Sequence, residues 1–142
     1  MTGLDTNILI DLIVSSTPYH SKVVEGIANL EDELFTSPTN IGEVLRLLTH
    51  PKVFSKPMVM PKAVAVLEQM LDYYRIQILD EDSNWWKKLS DLAKEVPGIR
   101  GNEVFDARIA LCLKSNGIRR MYTRDADFKK YSFLKTINWA SI

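Results

Sequence analysis

Short strand-like runs alternate with amphipathic helical stretches along this chain, and that alternation restricts its architecture more than any other feature. "TGL" precedes "TNILIDLIVS", whose Ile8, Leu9, Leu12 and Ile13 recur at helical spacing. "HSKVVEGIANLEDE" predicts an amphipathic helix with Val23, Val24, Ile27 and Leu30 on one face, and "LFTSP" a strand. "TNIGEVLRLLTH" predicts a helix that turns Ile41, Val44, Leu45 and Leu48 inward, its start marked by Thr39 or Asn40 ahead of Glu43. The proline-rich "PKVFSKPMVMP" reads as a loop. Beyond it, "KAVAVLEQMLDYY" reads as a helix, "RIQILD" as a strand, and "SNWWKKLSDLAKEV" as a helix stopped by "PG". "EVFDARIALCLKSNG" is a further helix with Gly117 as its C-cap, "IRRMYT" a strand, and "LKTINWAS" a last strand candidate.

Strands separated by helices cannot pair as hairpins, so they pair in parallel with helices on the faces. The expectation is an α/β domain with a parallel sheet of four to five short strands sandwiched by helices, occupying residues 1–142 as a single unit. No repeat, low-complexity tract or linker interrupts it. Sheets of this kind bind ligands outside the carboxyl ends of their strands.

Acids fall on that edge. Asp5 follows the first strand and Asp125 a later one, while Glu43 and Asp106 lie near the starts of two helices that open from the same edge. Each also suits a plain helix cap or first-turn acid. Together, carboxylates from four distant segments would raise one another's pKa and weaken the fold unless a cation neutralised them. Oxygen ligands without Cys or His suit Mg²⁺, with Mn²⁺ as a substitute, and not Zn²⁺. A hydrated Mg²⁺ can furnish a nucleophile against a phosphodiester.

Composition narrows the rest. Lys plus Arg and Asp plus Glu each number 18, so the formal charge is zero, and any nucleic-acid surface must come from segregated charge. The single cysteine, Cys112, allows neither a disulfide framework nor a cysteine zinc site. No apolar run approaches the roughly 18–20 residues of a membrane span, and no signal peptide opens the chain. A cytoplasmic protein without membrane partners is expected.

"LDTNILID", "SPTNIGEVLRLLTHP", "GNEVFDARIALCLKSNGI" and "YTRDADF" resemble, in order and spacing, the signatures of PIN-domain ribonucleases, and most of all the toxins of VapBC-type toxin–antitoxin pairs. The resemblance runs from Asp5 to about Trp139 and is most specific in Met1–Asp11 and Asn102–Phe128. It implies a PIN-like fold and a Mg²⁺-dependent endoribonuclease, with RNA as substrate, a cognate antitoxin as partner, and a homodimer. By the same resemblance Asp5 and Asp106 are the principal metal ligands, Glu43 joins them directly or through water, and Asp125 completes the set. Asp127 caps the following turn or binds metal through water, and Thr6 and Asn7 orient Asp5 and the scissile phosphate.

Arg46, Arg100, Arg108 and Arg124 are candidate RNA contacts around this centre, although most exposed basic residues are ordinary solvated charge. Two other readings share the fold class. A non-catalytic PIN-fold module that binds RNA or protein would not need all four acids. A haloacid-dehalogenase-like phosphatase would place Asp where this chain has Asn7.

Overall fold

The computed structural model describes residues 1–141. Strands β1 (Thr2–Leu4), β2 (Leu34–Thr36), β3 (Ile76–Ile78), β4 (Arg120–Tyr122) and β5 (Lys135–Ile137) form one five-stranded sheet in the order β3-β2-β1-β4-β5. Every pairing is parallel. The crossovers are helical: α1 (Thr6–Ile13) and α2 (His20–Ala28) join β1 to β2, and α3 (Pro38–Thr49) and α4 (Met60–Tyr74) join β2 to β3. α5 (Trp85–Glu95) and α6 (Glu103–Ser115) join β3 to β4, and a 3-10 turn at Ala126–Lys130 leads to β5. The α/β sandwich expected from the alternation is the fold observed.

Two cores lie on opposite faces of the sheet. Leu4, Leu34 and Ile76 pack with Ile8, Leu9, Val44, Leu48 and Leu67 from α1, α3 and α4. Phe35 and Met121 pack with Leu92, Ile109, Leu113 and Phe128 on the other side. Leu34 and Phe35 are neighbours in one strand, so their opposite destinations are the period of two that a strand imposes. Gly3 permits α6 to approach closely, since a Cβ there would lie 2.7 Å from Leu113 Cδ2.

Three boundaries differ from the sequence expectation, each for a local reason. α2 ends at Ala28, short of "NLEDE". Asp32 there accepts from the Met1 amino group at 2.6 Å and from the Thr2 hydroxyl, tying down the start of β1. α4 begins at Met60 and takes Pro61 into its first turn, where the missing N–H has no partner to lose. α3 begins at Pro38, capped by Ser37 and not by Thr39 or Asn40. Glu43 therefore sits in the second turn of α3 and takes no part in the cap. Gly117 behaves as expected, with φ +73 in the turn that ends α6.

Candidate metal centre

β1 is the middle strand, and its carboxyl end delivers Asp5 into the centre of the edge. Asp5 caps α1, its Oδ1 accepting from Thr6 N at 2.8 Å. The same oxygen accepts from Asn40 Nδ2 at 3.1 Å. Oδ2 accepts from the Thr123 hydroxyl at 2.6 Å and from Asn7 Nδ2 at 3.4 Å. The residue is 5% exposed. Burial raises its pKa to about 6 despite hydrogen bonds from Thr123 and Thr6 that lower it; Glu43 and Asp125 add repulsion.

Sequence reading assigned Asn40 only a capping role and Thr123 none, yet both hold Asp5. The Ser37 hydroxyl donates to Asn40 Oδ1 at 2.6 Å, and Asn40 N donates back to Ser37 Oγ at 3.2 Å. This cap fixes the Asn40 amide, which also donates to Thr6 Oγ1 at 3.0 Å. Thr6 in turn donates to Glu43 Oε1 at 2.7 Å. Thr123 accepts from Asp125 N at 2.9 Å. The polar residues of "SPTN" at a strand-to-helix junction, and the Thr two positions before Asp125, were the available signals.

Asp106, Asp125 and Asp127 each bring a carboxylate oxygen within 4.8 Å of the others. Asp106 lies in the first turn of α6. Its pKa rises to about 7, first through burial and then through repulsion from Asp125, Asp5 and Glu43, with Lys130 opposing. Asp5 and Glu43 thus belong to the same field as the trio. The expected turn cap is reversed: Asp125 Oδ1 accepts from Asp127 N at 2.9 Å, so Asp125 holds the turn and Asp127 presents its carboxylate. The Tyr131 hydroxyl is buried without a hydrogen-bond partner and is raised by burial and by Asp106, Glu103, Asp127 and Asp125.

A groove of about 790 Å³ lies between α3 and α6, with Glu43, Asp106 and Asp127 among its lining. Its walls carry Glu43 and Arg46 on one side and Phe105, Asp106 and Arg108 on the other. Arg46 is exposed, and Arg100 is exposed in the turn before α6. The other two arginines are engaged within the fold. Arg108 donates Nε and an Nη to Glu81 at 2.7 and 2.6 Å and lies 4.1 Å over the Trp85 ring. Arg124 pairs with buried Asp11 and lies 3.9 Å over the Tyr19 ring.

An all-oxygen donor set is chemically matched to a hard divalent cation, which would offset both the burial and the repulsion that raise Asp106. No His or Cys joins the trio, so a zinc site does not fit it.

A central parallel strand flanked by acid-bearing junctions is the arrangement of the PIN domain. Residues 4–134 match the PIN domain family, and the chain belongs to it. Among curated relatives, Ribonuclease VapC48 of Mycobacterium tuberculosis is 26% identical over 135 residues, covering 92% of each chain. Among solved structures, Mycobacterium tuberculosis VapC20, a Sarcin-Ricin loop cleaving toxin, superposes with TM-score 0.72 at 19% identity, over 94% of this chain and 97% of that one. VapBC-1 from nontypeable Haemophilus influenzae gives 0.68 at 20% identity over 98% of each. No helix of the described residues is long and apolar enough to cross a membrane.

Proposed function

We propose that this chain is a Mg²⁺-dependent endoribonuclease and the toxin of a toxin–antitoxin pair. The observation that carries the nuclease reading is the Asp106, Asp125 and Asp127 trio, lying in one field with Asp5 and Glu43 beside an open groove that Glu43, Asp106 and Asp127 line. These acids would hold Mg²⁺, or Mn²⁺ in its place, which would supply charge neutralisation and an activated water for attack on a phosphodiester. The chain's own residues set the stage. Asn40 and Thr123 keep the Asp5 carboxylate in one orientation, and Thr6 does the same for Glu43. Arg46, on the groove wall, suits a backbone phosphate. Hydrolysis by this route leaves a 5′-phosphate and a 3′-hydroxyl.

The toxin role and the antitoxin partner are supported by the names of the relatives, a ribonuclease VapC48 and a VapBC-1 structure. The unneutralised acids suit an inserted partner arginine, whose planar fork can pair with two carboxylates. A homodimer suits the exposed Met60, Val64 and Tyr73 of α4, and sedimentation of the purified chain decides it.

RNA cleavage with Mg²⁺ or Mn²⁺ that stops on adding EDTA tests the activity. Cleavage unchanged in EDTA overturns it. Ca²⁺ should bind and support little turnover, because its larger, looser shell orients water poorly. Growth arrest on expression, relieved by a co-expressed antitoxin, tests the toxin role.

A further inference from the structure

The groove has a feature that the acids do not explain. Phe105 stands next to Asp106 on α6, is 49% exposed, and lines the groove. It joins neither core cluster. Among the described residues its ring meets no other aromatic ring and no cation. A half-exposed phenylalanine contributes little to folding, yet here it flanks the charged centre.

The facing wall is bare at one point. Gly42 lies inside α3 and lines the same groove. Glycine is the poorest helix former after proline, so a helix interior selects against it unless close packing demands it. Packing makes no such demand here, since a Cβ at Gly42 would meet nothing within 4 Å. The space beside it belongs to the groove. Arg46 follows one turn later on the same wall, exposed and in no ion pair among the described residues.

Resting on the ribonuclease reading, we propose that Phe105 and Gly42 form a slot for one unpaired nucleobase adjoining the scissile phosphate, with Arg46 against the strand's backbone. The ring offers an uncharged π-face where surrounding carboxylates would repel a further phosphate. Bare backbone at Gly42 leaves room for a planar base opposite. Stacking of this kind needs a base already out of a helix, so the substrate is a single-stranded or loop segment and not a duplex.

The test is fluorescence of short single-stranded RNAs of randomised sequence around one 2-aminopurine, bound in Ca²⁺ to suppress turnover. Wild type should quench the 2-aminopurine, and the same RNA annealed to its complement should not be quenched. Phe105→Ala should lose the quench and bind about 5- to 150-fold more weakly. Phe105→Tyr should restore both. Gly42→Leu should also abolish the quench while melting at the wild-type temperature or above it, which separates a filled slot from a damaged fold. Both single variants should keep the wild-type Mn²⁺-induced melting shift.

Wild type that cleaves RNA without quenching, or Phe105→Ala that quenches and binds like wild type, overturns the slot and leaves the nuclease standing. Quenching that responds to both variants in a protein that cleaves nothing sinks the nuclease and leaves the slot. If both variants bind and cleave RNA as wild type does, the wall is a protein-docking face and the proposal fails.

Discussion

Asn40 donates its side-chain amide to Asp5 over 3.1 Å while its carbonyl accepts the Ser37 hydroxyl at 2.6 Å, so one residue closes a helix cap and aims a buried carboxylate. Asn40→Ala removes both functions. It should cost roughly 1–3 kcal/mol of stability, the range for buried polar groups left unpaired. Asn40→Asp keeps a capping oxygen but sets a negative charge against Asp5, so its loss should grow as pH rises. Urea melts of both variants in acid and in mild base check the ordering.

Asp106→Asn and Asp5→Asn should differ. On the sequence alone, both swaps ought to leave the metal-free protein at least as stable, since each removes one of several mutually repelling charges and Asn caps about as well as Asp. Asp5 accepts from four donors, however, and an amide in place of one oxygen would turn a donor toward Asn7 and Thr123. Asp106 adds repulsion without any such set of hydrogen bonds. Asp106→Asn should therefore raise the metal-free melting temperature and Asp5→Asn should lower it. Both should lose most of the Mn²⁺ shift. At about 100 times the dissociation constant that shift is worth about 2.7 kcal/mol, or roughly 8–11 °C for a domain of this size. Wild-type shifts in both variants would remove these acids from the cage.

The raised acids also set a pH dependence. Asp5 at about 6 and Asp106 at about 7 lie above their ordinary value of 3.8, so the folded chain holds protons that the unfolded chain has released. Their contribution is complete below the unfolded value and is lost as pH rises through the folded values. Metal-free wild type should lose stability relative to Asp106→Asn between about pH 4 and about pH 7. The Mn²⁺ shift should grow over the same interval as the ligands shed their protons. Melts across that range, with and without metal, read both slopes; a Mn²⁺ shift independent of pH contradicts the assignment.

Arg124 precedes Asp125 and pairs with Asp11, which is 1% exposed. Arg124→Ala strands a buried carboxylate, and removing one partner of a buried pair costs about 3–5 kcal/mol. Asp11→Asn should cost less, because it removes the buried charge itself. If Arg124 served only to touch RNA, its loss would spare metal binding. As a strut for the Asp125 loop, it should weaken the Mn²⁺ shift as well. A thermal melt with Mn²⁺ distinguishes the two roles.

The sheet was legible because short apolar runs alternate with amphipathic helical stretches, a signal that is local. Asp5 and Asp125 could be named because each follows a strand within a few residues, and Glu43 and Asp106 because each lies in the first two turns of a helix. The contacts of Asn40 and Thr123 with Asp5 escaped notice because Asp5 lies 35 and 118 residues away in sequence, and a polar side chain carries no period to reveal a distant partner. Arg108 looked free because Glu81, which binds it, lies in an aperiodic segment. The cap moved to Ser37 because Pro38 fits the first helical turn, a placement that displaced Glu43 by a full turn.

Strand order has a temporal side. β1 is made before either of its two neighbours, and one of them, β4, follows it only after six helices and two other strands. Thr123, which holds Asp5, is synthesised 118 residues after it. A chain still in synthesis thus carries Asp5 without the strand, the hydroxyl or the aspartates that complete its surroundings, and the loop closure that joins them must wait. Whatever these acids do together, they can begin only after β4 and the segment that carries Thr123 and Asp125 have been made.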